Sequence, residues 1–152
     1  MLIAFDLGLC DAVLVSGPDN VEKVKNLTGG FGVERAVDCS AHHGARATAI
    51  RATRKWGKIV FIGEGGKVEF NPSPDMIHDQ KTLYGSWVTS TWLMEELVER
   101  LVRWNLHPAD IITHRFPLSQ AAEAYALMAS GKCGKVAICQ DEELHARETT
   151  AE

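Results

Sequence analysis

Short apolar runs alternate along this chain with longer amphipathic stretches. The apolar runs predict strands at residues 11–15, 34–39, 58–62, 67–70, 82–88, 111–116 and 135–139. The amphipathic or alanine-rich stretches predict helices at residues 1–8, 20–27, 45–55, 91–104 and 119–128. Strands that alternate with helices indicate an α/β fold with a mostly parallel sheet flanked by helices.

Two of these stretches show the pattern most clearly. Residues 59–62 are continuously apolar, which is typical of a parallel strand that is covered on both faces. The stretch 91–104 places Leu93, Leu97, Leu101 and Trp104 on one helical face. We therefore expect Trp104, and Trp92 near the same face, to be packing residues.

Composition and charge exclude some classes of function. The chain has 152 residues, of which 45% are hydrophobic and 24% charged, as in a soluble globular domain. Its net charge of −4 gives no reason to expect nucleic acid or an anionic membrane as a partner. The first residues do not resemble a secretory leader, and no apolar run reaches membrane-spanning length.

The four cysteines form no Cys-x-x-Cys pair. Cys39 and Cys139 fall in apolar runs, where a cysteine is usually a small buried side chain. We expect all four cysteines to be reduced and the protein to be cytoplasmic.

Two glycine-rich stretches invite comparison with a phosphate-binding turn. Residues 28–32 follow a predicted helix and precede a predicted strand, the reverse of the required order, so we expect a helix end and a turn. Residues 62–66 follow a strand and have the required order, although a simple glycine-rich turn would explain them as well. A Gly-x-Gly-x-x-Gly turn is absent from the sequence.

Neither the paired histidines nor the nearest acid predicts a reactive centre. His42 and His43 lie near Cys39 in sequence, but zinc needs three or four ligands and no others have ligand spacing. We expect the two histidines to begin a solvated helix. Asp38 could be a general base, but at this point in a strand we expect a structural acid that is paired or hydrogen-bonded.

Five segments in order resemble one protein family. They are Leu-Thr-Gly-Gly-Phe-Gly-Val-Glu-Arg-Ala-Val-Asp-Cys-Ser, Arg-Lys-Trp-Gly-Lys-Ile-Val-Phe-Ile-Gly-Glu-Gly-Gly, Thr-Leu-Tyr-Gly-Ser-Trp-Val, Ile-Thr-His-Arg-Phe-Pro-Leu-Ser-Gln-Ala-Ala-Glu-Ala-Tyr and Gly-Lys-Cys-Gly-Lys-Val. From about residue 7 to residue 139, the chain resembles the C-terminal part of a zinc-type medium-chain alcohol or polyol dehydrogenase.

The resemblance implies an incomplete Rossmann-like fold. Residues 1–105 would form strands three to six of an NAD(P)-binding domain, and residues 106–140 would return toward a catalytic domain that the sequence does not contain. Residues 141–152 would be a frayed tail. The zinc-bearing catalytic domain, the phosphate-binding turn and the acidic residue that selects the ribose have no counterpart here.

The resemblance also implies which residues contact NAD or NADP. Four parts of the chain would lie beside the cofactor. They are the end of the fourth Rossmann strand, the turn after the fifth strand, the sixth strand, and a basic residue near the last strand. These positions are Cys39, Ser40, Ile62, Gly63, Glu64, Ser86, Trp87, Val88 and Lys135. Lys135 alone would otherwise be interpreted as a solvated cation. No residue is assigned to catalysis or to zinc, which belongs to the complete family members.

Two functions follow as hypotheses. The first is the cofactor-binding part of an NAD(P)-dependent alcohol or polyol dehydrogenase, inactive alone and with a weak or partial cofactor site. The second is a non-catalytic α/β interaction module derived from such an enzyme. Because strand 35–39 would lack its usual neighbour, and because family members often dimerise through the strand equivalent to residues 67–70, we expect a homo-oligomer or a missing N-terminal half as the partner.

Overall fold

Three parallel strands that are neighbours in sequence are also neighbours in the sheet of this protein. The computed structural model describes residues 3–140. Residues 14–91 form one compact unit, which we call the sheet unit. Residues 3–13 and 92–140 belong to a second unit. The predicted α/β class, with parallel strands flanked by helices, is confirmed.

The elements follow one another in short succession. The helices are α1 (Ile3–Asp6), α2 (Asn20–Leu27), α3 (His43–Ala52), α4 (Thr91–Trp104) and α5 (Ala121–Ala129). The strands are β1 (Val33–Asp38), β2 (Thr53–Phe61), β3 (Thr82–Gly85), β4 (Ile112–Pro117) and β5 (Lys135–Cys139). A π-helical turn at Ser73–Ile77 and 3-10 turns at Pro108–Ile111 and Leu118–Gln120 complete the order.

The sheet of the sheet unit has the order β1-β2-β3, with every pair parallel. Val37 of β1 pairs with Val60 of β2, and Val60 pairs with Tyr84 of β3. Among the described strands, β1 therefore has a neighbour on one side only. The carboxyl ends of all three strands lie at the same edge.

Helix α3 covers one face of this sheet. Ile50 of α3 and Ile59 of β2 are completely buried, because the strand presents every second side chain to the helix. On the opposite face Val37 remains 59% exposed, and Tyr84 is also exposed. The expectation that residues 59–62 are covered on both faces is wrong: the face that carries Ile59 is buried, whereas Ile62 is exposed.

The second unit contains a separate parallel pair, β4 with β5. Phe116 pairs with Ile138, and α5 packs on the two strands through the buried Ala124. The strands predicted at 111–116 and 135–139 are thus confirmed, as is the helix predicted at 119–128, although it begins two residues later.

Helix α4 has the predicted bounds but not the predicted burial. Trp92 is 74% exposed, and Leu93, Leu97 and Trp104 are also exposed. The expectation that Trp92 and Trp104 are packing residues is therefore wrong for this structure. The apolar period predicts which side chains share a face, but it cannot predict whether another element covers that face.

Two predicted strands do not form. Residues 11–15 are irregular and exposed, and residues 67–70 are also irregular. A strand is stable only when a neighbour accepts and donates its main-chain hydrogen bonds. Neither segment has such a neighbour among the described residues. The segments that the resemblance assigns to strands four, five and six form a sheet, whereas the segment it assigns to strand three, residues 11–15, does not join it.

Smaller differences occur at the ends of elements. The helix predicted at 45–55 ends at Ala52, where the Thr53 hydroxyl donates to the Ala49 carbonyl at 2.7 Å and the chain turns into β2. The strand predicted at 82–88 ends at Gly85. No helix in residues 3–140 is long and apolar enough to cross a membrane. The frayed tail predicted for 141–152 lies outside the described residues.

Candidate functional site

The carboxyl ends of β1, β2 and β3 bring three of the predicted site segments together. The Ile62 and Gly63 amides donate to the Asp38 carbonyl at 3.0 and 3.1 Å. The Ser86 amide donates to the Phe61 carbonyl at 3.0 Å. Residues 39–41, 62–66 and 86–88 therefore follow adjacent strand ends, and we refer to these three segments as the carboxyl edge.

All predicted cofactor residues except Lys135 lie at the carboxyl edge. Cys39 and Ser40 follow β1, residues 62–64 follow β2, and residues 86–88 follow β3. Lys135 is the first residue of β5 in the second unit, and its side chain is exposed.

The carboxyl edge exposes apolar side chains together with small polar ones. Trp87 is 67% exposed and Val88 is 78% exposed, and Val88 has a positive φ of 43°. The sequence-based expectation that Cys39 is buried is wrong, because Cys39 comes after the last residue of β1 and is exposed. An exposed apolar ring beside accessible main chain suits a planar ligand that is held by backbone groups.

Asp38 organises the turn that follows β1. Its Oδ1 accepts hydrogen bonds from the Ser40 amide at 3.1 Å and the Ser40 hydroxyl at 2.8 Å, and its Oδ2 accepts one from the Ala41 amide at 3.1 Å. The Arg46 Nε donates to Oδ2 at 3.0 Å. The predicted role of Asp38 as a paired structural acid is confirmed.

The pKa of Asp38 results from opposing effects. Burial raises the pKa of this carboxyl, but the hydrogen bonds from Ser40, Arg46 and Ala41 outweigh burial and hold the pKa below its ordinary value. The carboxylate is therefore the form that the fold stabilises.

Arg46 was not identified from the sequence, although it connects the end of β1 to the loop after β2. Its Nη1 donates to the Gly65 carbonyl at 2.8 Å, and its Nη2 donates to the Gly63 carbonyl at 2.6 Å. The guanidinium also lies over the Phe61 ring, 5.0 Å from its centroid. Arg46 precedes the buried Ile50 by four residues, and this spacing on an alanine-rich helix could have placed it on the inner face.

Glycines allow the two loops after β1 and β2 to touch. A Cβ at Gly63 would overlap the Ala41 amide nitrogen, and a Cβ at Gly66 would overlap the Ala41 carbonyl oxygen. Gly66 and Ala41 have positive φ values of 66° and 60°. The stretch 62–66 is therefore a tight turn packed backbone to backbone on the preceding loop.

The other two candidate motifs have structural roles. The His42 Nδ1 accepts a hydrogen bond from the Gly44 amide at 3.2 Å, so His42 caps α3. Residues 28–32 form the predicted helix end, where the Gly30 amide donates to the Lys25 carbonyl at 2.7 Å. In residues 3–140, no group of three or more His, Cys, Asp or Glu side chains is placed to hold a metal ion.

Comparison with known proteins agrees with the family that the sequence motifs indicate. A family model described as zinc-binding dehydrogenase matches residues 3–104. The zinc-type alcohol dehydrogenase-like protein YphC of Escherichia coli K12, described as uncharacterized, is 46% identical over 139 residues, which cover 91% of this chain and 39% of YphC. An L-threonine 3-dehydrogenase of Symbiobacterium thermophilum is 29% identical over 142 residues, covering 91% and 40% respectively.

Solved structures show the same fold. The alcohol dehydrogenase of Aeropyrum pernix superposes with a TM-score of 0.72 at 23% identity, over 88% of this chain and 38% of that enzyme. The chain thus spans about two fifths of the length of the curated relatives it matches. On the family match and these relatives, the chain belongs to the zinc-binding dehydrogenase family.

Proposed function

We propose that this chain supplies the nicotinamide side of the NAD(P) site of a zinc-type alcohol or polyol dehydrogenase. The observation that supports this most directly is the meeting of residues 39–40, 62–64 and 86–88 at the carboxyl ends of three adjacent parallel strands. In open α/β sheets, ligands bind outside the carboxyl ends of the strands.

The residues present fit such a ligand. Gly63 and Gly66 keep the loop after β2 close to the loop after β1, and neither glycine places a side chain at the carboxyl edge. Trp87 and Val88 add exposed apolar surface for a flat ring. When bound, NAD(P) would supply hydride transfer at its nicotinamide ring, and the role of this chain would be to bind and orient that ring.

Lys135 belongs to the second unit, unlike the other proposed cofactor contacts. Its ammonium group would approach the pyrophosphate, where a positive charge is favourable. The geometry of the sheet unit supports the other assignments independently of Lys135, which lies in the second unit.

We also propose that the chain is inactive alone. No described residue is assigned to zinc ligation or proton transfer, and the phosphate-binding turn is absent from the sequence. Residues 1–105 would serve as the cofactor-binding part, and residues 106–140 as the segment that leads to a catalytic domain. The four free cysteines support a cytoplasmic location as part of this proposal.

The open side of β1 favours the second candidate, a non-catalytic interaction module. Val37 is exposed on this strand, and β1 has no described neighbour on its outer side. Such an edge readily pairs with a strand of another chain.

Nuclear magnetic resonance can test the cofactor proposal by following backbone amides of the 152-residue chain. We expect nicotinamide mononucleotide and NAD to shift the amides of residues 62–64 and 86–88. Adenosine monophosphate should not shift these amides. Gly29 and Gly30, in the turn after α2, provide an internal control that should not respond.

The affinity should be weak. The absent turn would have contributed several charge-assisted hydrogen bonds, each worth on the order of 1.5–3 kcal/mol. If neither nicotinamide compound shifts the carboxyl edge, the proposal fails and the interaction-module hypothesis is favoured. Micromolar or tighter NAD binding would contradict the idea of a partial site.

A further inference from the structure

We infer that Arg46 is a positioning residue that sets the direction of two free amide donors at the carboxyl edge. The inference rests on the proposed function, because those donors matter only if a ligand uses them. Arg46 donates to three acceptors, namely the carboxylate of Asp38 at the end of β1 and the carbonyls of Gly63 and Gly65 in the loop after β2.

Arg46 acts through the backbone and does not itself contact a ligand. Its side chain is 9% exposed, and three of its nitrogens already donate to protein acceptors. The ring of Phe61 lies against the guanidinium, 5.0 Å away at its centroid. A guanidinium held in this way keeps a fixed plane, since its donors form a rigid fork.

The planar trans peptide carries this orientation to the next residue. In each peptide unit the carbonyl and the following N–H point in opposite directions. When Arg46 holds the Gly63 and Gly65 carbonyls, it turns the Glu64 and Gly66 amides away from the guanidinium. No hydrogen bond found among the described residues uses either amide, so both remain available as donors.

The charge of Arg46 also matters to the turn after β1. The Asp38 side chain is almost completely buried, and Arg46 is its ion-pair partner. Removal of the guanidinium alone would leave a buried carboxylate without a counter-charge, which would disturb folding as well as the loop. A test must therefore separate the loop effect from the charge effect.

The first variant is Arg46→Lys, which keeps the charge but replaces the fork with one ammonium that cannot reach all three acceptors. Arg51→Lys is the matched control, because Arg51 lies on the same helix and pairs with Asp75 through an exposed side chain. Backbone order parameters of Glu64 and Gly66 are the main measurement, since they require no ligand.

We expect order parameters near ~0.85 at Glu64 and Gly66 in the parent and in Arg51→Lys, and below ~0.6 in Arg46→Lys. Ile59 in the core should remain rigid in all three proteins. The affinity for nicotinamide mononucleotide should fall about tenfold in Arg46→Lys only, as expected for the loss of one oriented hydrogen bond.

A second variant covers the case in which Arg46→Lys does not fold. The pair Asp38→Asn with Arg46→Met removes both charges. The amide oxygen of the new side chain can replace Oδ1 as the acceptor for Ser40, whereas the amide nitrogen replaces Oδ2 and cannot accept from Ala41. We expect this double variant to fold with a mobile loop at residues 63–66. Unfolding of the double variant would overturn the inference, because the Asp38–Arg46 pair would then be a requirement of the fold as a whole and not of the loop alone.

The remaining outcomes separate the two proposals. Unchanged order parameters together with unchanged affinity in Arg46→Lys would overturn the positioning role and leave the proposed function intact. If the parent does not respond to nicotinamide mononucleotide, the proposed function fails. In that case a mobile loop in Arg46→Lys would still show that Arg46 orders these amides, but the role in ligand binding would be overturned.

Discussion

Gly66 lies against Ala41 so closely that a Cβ on Gly66 would overlap the Ala41 carbonyl oxygen. The loops after β1 and β2 therefore touch through their backbones. Gly66 has a φ of 66°, which is already unfavourable for residues with a side chain. Space and conformation thus both require glycine here.

We expect Gly66→Ala to destabilise the protein clearly more than Gly65→Ala. Both positions have positive φ, which costs roughly 1–2 kcal/mol for alanine, but a Cβ at Gly65 meets nothing within 4 Å. The overlap at Gly66 should add about 1–3 kcal/mol. Urea unfolding followed by circular dichroism measures the difference, and equal midpoints for the two variants would contradict the close approach.

The carboxyl of Asp38 should make stability depend on pH. Its pKa in the folded protein lies below the ordinary value, so the stabilisation is present above the pKa of the unfolded chain, about 4, and is lost as the pH falls through the folded pKa. We expect Asp38→Asn to be less stable than the parent at pH 7, with the gap narrowing below pH ~4. Denaturation midpoints of both proteins at several pH values measure this gap. A difference in denaturation midpoint that stays constant down to strongly acidic pH would contradict a lowered pKa of Asp38 in the folded protein.

Self-association should involve the outer side of β1. The Asp38 carbonyl accepts bonds from the Ile62 and Gly63 amides, so Asp38 faces β2 and the main chain of the preceding Val37 faces outward. We expect a dimer or larger species that Val37→Pro weakens, because proline removes the outward donor but breaks no bond to β2.

Val37→Thr is the matched control for assembly, since threonine keeps the amide donor and suits a strand. Light scattering over a range of concentrations measures the mass of the parent and both variants. A parent that stays monomeric at high concentration would contradict the prediction. Residues 67–70, where a second pairing site was expected, are irregular within this chain, and pairing with another chain there stays a prediction.

The chain should not reduce NAD or NADP in the presence of alcohols, polyols or L-threonine, with or without added zinc. No described residue is assigned to bind zinc or transfer the substrate proton, so orienting the cofactor would not lower the chemical barrier enough. Absorbance at the wavelength of the reduced cofactor measures the rate. Turnover above that of heat-inactivated protein would show that the chain contains a complete active site.

Several features could be predicted from the sequence because their causes are local. The apolar patterns of α4 and β5 predicted the observed bounds of these elements, since helix and strand repeats depend on the chain itself. The position of each glycine-rich stretch relative to its neighbouring strand also separated a helix end, at residues 28–32, from a loop that follows a strand, at residues 62–66. The family was identified from segments that the chain carries in order.

Other features depended on tertiary structure. Residues 11–15 have the composition of a strand, but main-chain hydrogen bonds require a neighbouring strand that the described residues do not provide. The helical spacing could have placed Arg46 on the inner face of α3, but its contacts with Asp38 and the Gly63 carbonyl depend on how α3 packs on the sheet. A sequence pattern determines which side chains share a face, whereas burial and pairing depend on what the rest of the molecule places against that face.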